Sequence, residues 1–121
     1  MQKLGKREEQ IMQVVWQLQH AFIKDIIELL PAPQPHYNSV ATMVKILTDK
    51  GFLSAEKIGN TYRYSPVVTL AEYRQQDVAT IKQKYFGNSL TKMITHFAKE
   101  ENLSDQELDE LIQVIKSQKS S

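Results

Sequence analysis

Residues 38–53, NSVATMVKILTDKGFL, run directly into SAEKIGNTYRYSP, and this junction restricts the fold more than any other stretch. Val40, Met43, Val44 and Leu47 recur at i, i+3, i+4 and i+7, the spacing of one helical face. The other face carries Asn38, Thr42 and Lys45 around a small Ala41, side chains that reach base edges or phosphates. Lys50-Gly51 ends the helix. The segments on either side of Ile58-Gly59-Asn60 are β-prone, and Gly59-Asn60 is able to take the positive φ of a tight hairpin turn. A helix with a polar outward face followed by a basic hairpin predicts a winged helix-turn-helix, and DNA is the partner such a unit serves.

The preceding segments supply the rest of that unit. A first helix is expected from about Lys6 to Gln19, with Ile11, Val15 and Leu18 inward, and Met12 and Trp16 widening the stripe. A short loop through His20 and Ala21 leads to a second helix, Ile23 to Leu30, with Ile26, Ile27 and Leu30 inward. PAPQP, residues 31–35, excludes helix and separates it from the third, Tyr37 to Lys50. Phe52-Leu53 opens the first strand, Thr61 to Tyr64 forms the second, and Pro66 closes the unit.

From Leu70 the helical period returns. Leu70, Tyr73, Ile81 and Tyr85 mark one stripe up to Gly87-Asn88, and Leu90, Met93, Ile94 and Phe97 mark another. Ser104 to Glu107 is a capping box that opens a third helix, with Leu108, Leu111, Ile112 and Ile115 on one side. About 50 residues of open helical arm bury too little apolar surface alone. A second copy related by a two-fold axis is the economical cover. The expected division is a winged-helix domain at 1–68 and a helical dimerisation region at 69–121. The fold class is mainly α, with a small antiparallel β-hairpin wing.

Composition narrows the function. Net charge is +1, so the whole-molecule field argues nothing about nucleic acid. Residues 1–66 hold eight Lys/Arg against six Asp/Glu, and residues 67–121 hold seven against eight. The slight basic excess lies in the half with the reader helix. There is no cysteine, hence no disulfide framework and no thiolate metal site. His20, His36 and His96 lie in separate segments with no metal-ligand spacing, and no cofactor is expected. No Gly-rich phosphate loop, cysteine nucleophile or GxSxG elbow appears, so an enzyme is not expected. No apolar run reaches a membrane span, and the polar start lacks a signal-peptide core; a cytoplasmic protein is the expectation. Tyr62, Tyr64, Tyr73 and Tyr85 read as packing residues with a wet hydroxyl.

The ordered motifs resemble those of the penicillinase-repressor family of bacterial transcriptional repressors. The likeness runs through Glu8-Glu9 to Trp16 in the first helix and Asn38-Ser39-Val40 to Leu47 with Lys50-Gly51-Phe52 in the reader. It continues through Gly59 and Tyr62 to Ser65 in the wing. In the arm it covers Tyr85-Phe86-Gly87, Leu90 to Phe97, Asn102-Leu103-Ser104 and Glu107-Leu108. The resemblance implies a homodimer that binds an operator, the third helix in the major groove and the wing on the backbone. By position it makes His36, Asn38, Ser39 and Thr42 reader contacts; the helical face adds Lys45, and Lys57 and Arg63 are available for phosphates. Ile94, Phe97, Leu108, Leu111, Ile112 and Ile115 become the dimerisation residues. Some relatives carry arginine where this chain has Ala41 and Ile46. Relatives that respond to β-lactams are inactivated by a cut between Asn and Phe in the arm, by way of a membrane-bound sensor protease. The aligned pair here is His96-Phe97. The copper-sensing branch uses C-terminal cysteines, which this chain lacks. The competing reading is a winged-helix adaptor that binds protein and not DNA.

Overall fold

The computed structural model describes residues 3–119 and is mainly helical, with one two-stranded antiparallel sheet. The elements are α1 (Lys6–Leu18), α2 (Ile23–Leu29), α3 (Tyr37–Asp49), β1 (Leu53–Ile58), β2 (Thr61–Pro66), α4 (Leu70–Tyr85), α5 (Leu90–Glu100) and α6 (Asp105–Lys119). They gather into two compact units, Met1–Gln76 and Asp77–Ser121, the chain passing from the first to the second within α4.

The first unit is a winged helix. Ile11, Met12, Val15, Ile26, Val40, Val44 and Leu47 are fully buried, joined by Phe52 and Leu53 at the entrance of β1. Sealing an aliphatic side chain of this size from water stabilises by about 1.5–3 kcal/mol. The expected stripe of α1 needs one correction. Leu18 is exposed while Val14 is buried, because α1 is covered by α2, α3 and β2 on more than one side and ends at Leu18. Trp16 joins the core, and its indole N–H donates to the Val68 carbonyl at 2.8 Å, which satisfies the one polar atom it buries. Tyr73, from the first turn of α4, packs on Trp16 (ring centroids 5.5 Å apart) and Phe52 (6.1 Å). Its hydroxyl donates to Glu9 Oε2 at 3.2 Å.

The end of α3 shows why a glycine follows it. Gly51 adopts φ +85, its N–H donates to the Thr48 carbonyl at 3.1 Å, and the Phe52 N–H donates to the Leu47 carbonyl at 2.9 Å. These are the two bonds of a Schellman motif, and Phe52 and Leu47 are both buried in the same core. The chain turns into β1 with the Leu47 and Thr48 carbonyls satisfied.

The hairpin closes on Gly59-Asn60, with Ile58 opposite Thr61. Gly59 alone takes positive φ, +62, at the first central position, as in a II′ turn. A third edge is present. Ala21 and Tyr64 exchange both backbone hydrogen bonds, at 2.9 and 2.8 Å, so the α1–α2 loop forms a one-residue strand beside β2. His20 adds a side-chain hydrogen bond to Ser65 Oγ at 2.8 Å.

In the second unit, α5 starts at Ser89, whose side chain accepts the Lys92 N–H at 3.2 Å. It ends with Asn102 at φ +50, and the Leu103 N–H reaches the Ala98 carbonyl at 3.2 Å. The expected capping box of α6 forms: Ser104 Oγ accepts the Glu107 N–H at 3.1 Å, and Glu107 Oε1 accepts from Ser104. Thr69 and Glu72 make the same box at the start of α4. Phe86, His96 and Phe97 form a triangle of rings with centroids 5.3–5.8 Å apart. Met93 is the one buried hydrophobic residue among those described in this unit.

Candidate nucleic-acid interface

The reader is a helix clamped on one side and open on the other. Val40, Val44 and Leu47 are fully buried, so α3 has little freedom to roll. Asn38, Ser39, Thr42 and Lys45 are exposed on its other side, with Ile46 beside them. Among the described residues no hydrogen bond or ion pair engages the side chains of Asn38, Ser39 or Lys45. Thr42 differs, because its hydroxyl donates to the Asn38 carbonyl at 2.9 Å. That spends its hydrogen on the helix and leaves its oxygen as an acceptor.

His36 is the N-cap residue of α3 in extended backbone geometry, and its side chain makes no capping bond. Its carbonyl accepts the Ser39 and Val40 N–H groups. The imidazole is exposed at the head of α3. Ala41 and Ile46, where some relatives carry arginine, part company in space. Ala41 is half-buried toward the hairpin, while Ile46 is 42% exposed on the outside.

At the far end of α3, Lys50 Nζ meets Glu8 Oε2 at 2.8 Å. Lys50 is thereby committed to the fold. The hydrogen bond from Lys50 holds the Glu8 carboxyl below its ordinary value, burial opposes this, and the Gly5 N–H adds a smaller downward pull.

The hairpin register separates the two wing cations. Lys57 pairs with Tyr62 and Ala55 with Tyr64, while Glu56 pairs with Arg63. Alternation along a strand therefore puts Lys57 and Arg63 on opposite faces. Arg63 Nη2 is held by Glu56 Oε2 at 3.1 Å, and its Nε is shut from solvent without a partner. Lys57 is exposed, on the same hairpin face as the residues that turn toward α3. The structure thus brings Asn38, Ser39, Thr42 and Lys45 together and shares one hairpin face with Lys57, but not with Arg63.

Tyr62 and Tyr64 did not figure as site residues in sequence. Both line the space between α3 and the hairpin, and Tyr62 is 47% exposed. The signal was available: a two-residue turn at Gly59-Asn60 fixes the register by counting, and that register puts both rings on the Lys57 face. Burial pushes the Tyr64 phenol above its ordinary value, and Tyr37 and Tyr62 close by add to the shift.

In the second unit, Ile94, Phe97, Leu111, Ile112 and Ile115 are all exposed, at 36–46%. Leu108 is half-buried and lines a groove between α5 and α6 with Ile94 and Leu103. His96 and Phe97 lie within α5 and are exposed. Among the described residues no cluster of His, Cys, Asp or Glu is placed to hold a metal ion, and no helix is long and apolar enough to cross a membrane.

Comparison with known proteins agrees with this geometry. The family model for the penicillinase repressor matches residues 4–117. The chain is 24% identical over 119 residues to a penicillinase repressor of Bacillus licheniformis, spanning 98% of this chain and 93% of that protein. It is 21% identical over 114 residues to a penicillinase repressor of Staphylococcus aureus, spanning 93% and 90%. An uncharacterised 16.5 kDa protein of Latilactobacillus sakei is 25% identical over 109 residues, spanning 89% of this chain and 75% of that protein. The chain belongs to the penicillinase-repressor family, a family of DNA-binding transcriptional repressors.

Proposed function

We propose that the protein represses transcription by binding a pseudo-palindromic operator as a homodimer, each copy laying α3 in one major groove. The observation that carries this is the two-sidedness of α3: Asn38, Ser39, Thr42 and Lys45 stand open to solvent while Val40, Val44 and Leu47 anchor the opposite side in the core. Asn38 offers an amide donor and acceptor to a base edge. Thr42, its hydrogen spent on the helix, suits a base amino group such as adenine N6 or cytosine N4. His36 and Ser39 flank them at the head of the helix, and Lys45 and Lys57 serve phosphates. Arg63, held by Glu56 on the opposite hairpin face, is left out of the phosphate contacts in this reading.

Residues 69–121 serve as the dimerisation region in this reading. Its support is the row of exposed apolar side chains, Ile94, Phe97, Leu111, Ile112 and Ile115, beside Leu108. Exposed apolar surface of this kind marks a protein contact. A two-fold dimer presents the reader twice and matches the symmetry of the site. Repression is relieved by losing the dimer. A membrane-bound sensor protease cutting at His96-Phe97 is a candidate inducing route that departs from the Asn-Phe pair of the β-lactam-responsive relatives, and α5 has to unwind locally to present that bond in extended form. The protein works in the cytoplasm, with its DNA.

The test is a gel shift with the DNA upstream of the protein's own gene, at two salt concentrations. We expect a complex that weakens steeply as salt rises, through release of counterions from neutralised phosphates. A protein-binding adaptor shows no salt-sensitive duplex complex, and that result refutes the proposal.

A further inference from the structure

The open side of α3 is not uniformly polar. At about 100° per residue, Thr42 faces away from buried Val40, Val44 and Leu47, with Lys45 and Ile46 on either side of it. Lys45 turns to the flank that meets the hairpin, where it lines a groove with Ala41 and Thr48. Ile46 turns to the other flank, does not line that groove, and is exposed. Among the described residues of α3 it is the one exposed aliphatic side chain. A lone apolar group is ordinary on a protein surface at large. Ile46, however, stands one residue from Lys45 and one turn from Thr42, so the surface that meets those two meets Ile46 as well.

Building on the DNA-binding reading above, we infer that Ile46 is a specificity-determining residue whose methyl groups pack on the C5-methyl of a thymine in each operator half-site. Of the four bases, only thymine shows an apolar group on its major-groove edge. The other groups there are amino groups, carbonyls and ring nitrogens, and pressing Ile46 on one of them strips its water without supplying a partner. Thr42 narrows the place. Its hydroxyl hydrogen is spent on the Asn38 carbonyl, so toward a base it only accepts, and its match is an amino group. Residues four apart on a helix hold their Cβ atoms about 5–6 Å from each other, and base pairs follow at about 3.4 Å. The thymine therefore lies one or two base pairs from the amino group that Thr42 meets. The pair of side chains reads an amino group and a methyl group, and neither contact depends on charge.

The experiment uses the full chain and the duplex it protects upstream of its own gene. Each thymine in the protected region is replaced in turn by deoxyuridine, which removes the C5-methyl and nothing else. At one thymine per half-site the parent should lose about four-fold in affinity, the worth of one buried methyl group. Ile46→Ala should bind the unmodified duplex at least that much more weakly, and should no longer respond to deoxyuridine at that thymine. Its salt slope should match the parent's, because no charge is removed. Thermal melts check the fold, and Ile46→Thr, which keeps the branch at Cβ, replaces the alanine variant if that one unfolds. Parent affinity in the variant overturns the inference, and so does a variant that responds to every deoxyuridine as the parent does. A loss that comes with monomers in light scattering also overturns it, since Ile46 then lies between copies of the chain. If the parent binds no duplex, the DNA reading itself has failed.

Discussion

Asn38 and Thr42 stand one helical turn apart on the open side of α3, where neither contributes to the core. In the proposed reading their value appears in binding and not in folding. Replacing each by Ala is expected to cost roughly 1–3 kcal/mol of operator affinity if it meets a base. Urea midpoints should barely move, because exposed substitutions of this kind are near neutral. A titration of the double variant that matches the parent sinks the assignment. Much at this scale was legible. The helical period alone put Asn38, Thr42 and Lys45 opposite Val40, Val44 and Leu47, because side-chain direction on a helix follows from position. The state of Arg63 was less visible. Basic residues on a wing read as free until the hairpin register is counted, and only then does Glu56 fall opposite Arg63.

Among the elements, the tie between α1 and the end of α3 is the one that pH can address. Glu8, in the first turn of α1, meets Lys50 just past α3, and both side chains are mostly buried, at 17% and 24% exposure. The Lys50 hydrogen bond depresses the Glu8 pKa in the folded state. A depressed carboxyl stabilises the fold above its unfolded pKa, and that stability disappears as pH falls through the folded pKa. Glu8→Gln should therefore lower stability by on the order of 1 kcal/mol at neutral pH. The gap to the parent should close in acid below the carboxylate range. Urea unfolding of both proteins across that window is the check, and a pH-independent gap refutes it. Element order and most ends were readable from periodicity, from the glycine after α3 and from the Ser104–Glu107 box. The box at Thr69–Glu72 carries the equivalent T-x-x-E signal to the S-x-x-E of Ser104–Glu107, and it starts the helix whose Tyr73 enters the winged-helix core.

For the whole molecule, dimerisation is the step we propose turns a weakly basic reader into a repressor. Net charge is +1, so in this proposal affinity comes from placing a few cations well and placing them twice. Replacing Leu111 and Ile115 by Asp puts charge into the proposed interface of α6, where an unpaired charge is costly to bury. We expect monomers by light scattering and a large loss of operator affinity; a dimer that persists moves the interface elsewhere. Sequence by itself determined the elements, the inward side of the reader and the turn that begins the wing. Each depends on period, capping or turn chemistry within a few residues. Only the tertiary structure decided the rest. It exposed Leu18 and buried Val14, joined Ala21 to Tyr64 as a third strand edge, and brought Tyr62 and Lys45 to one groove. Those outcomes depend on which neighbour packing supplies, and residues far apart in the chain become neighbours only when the core closes.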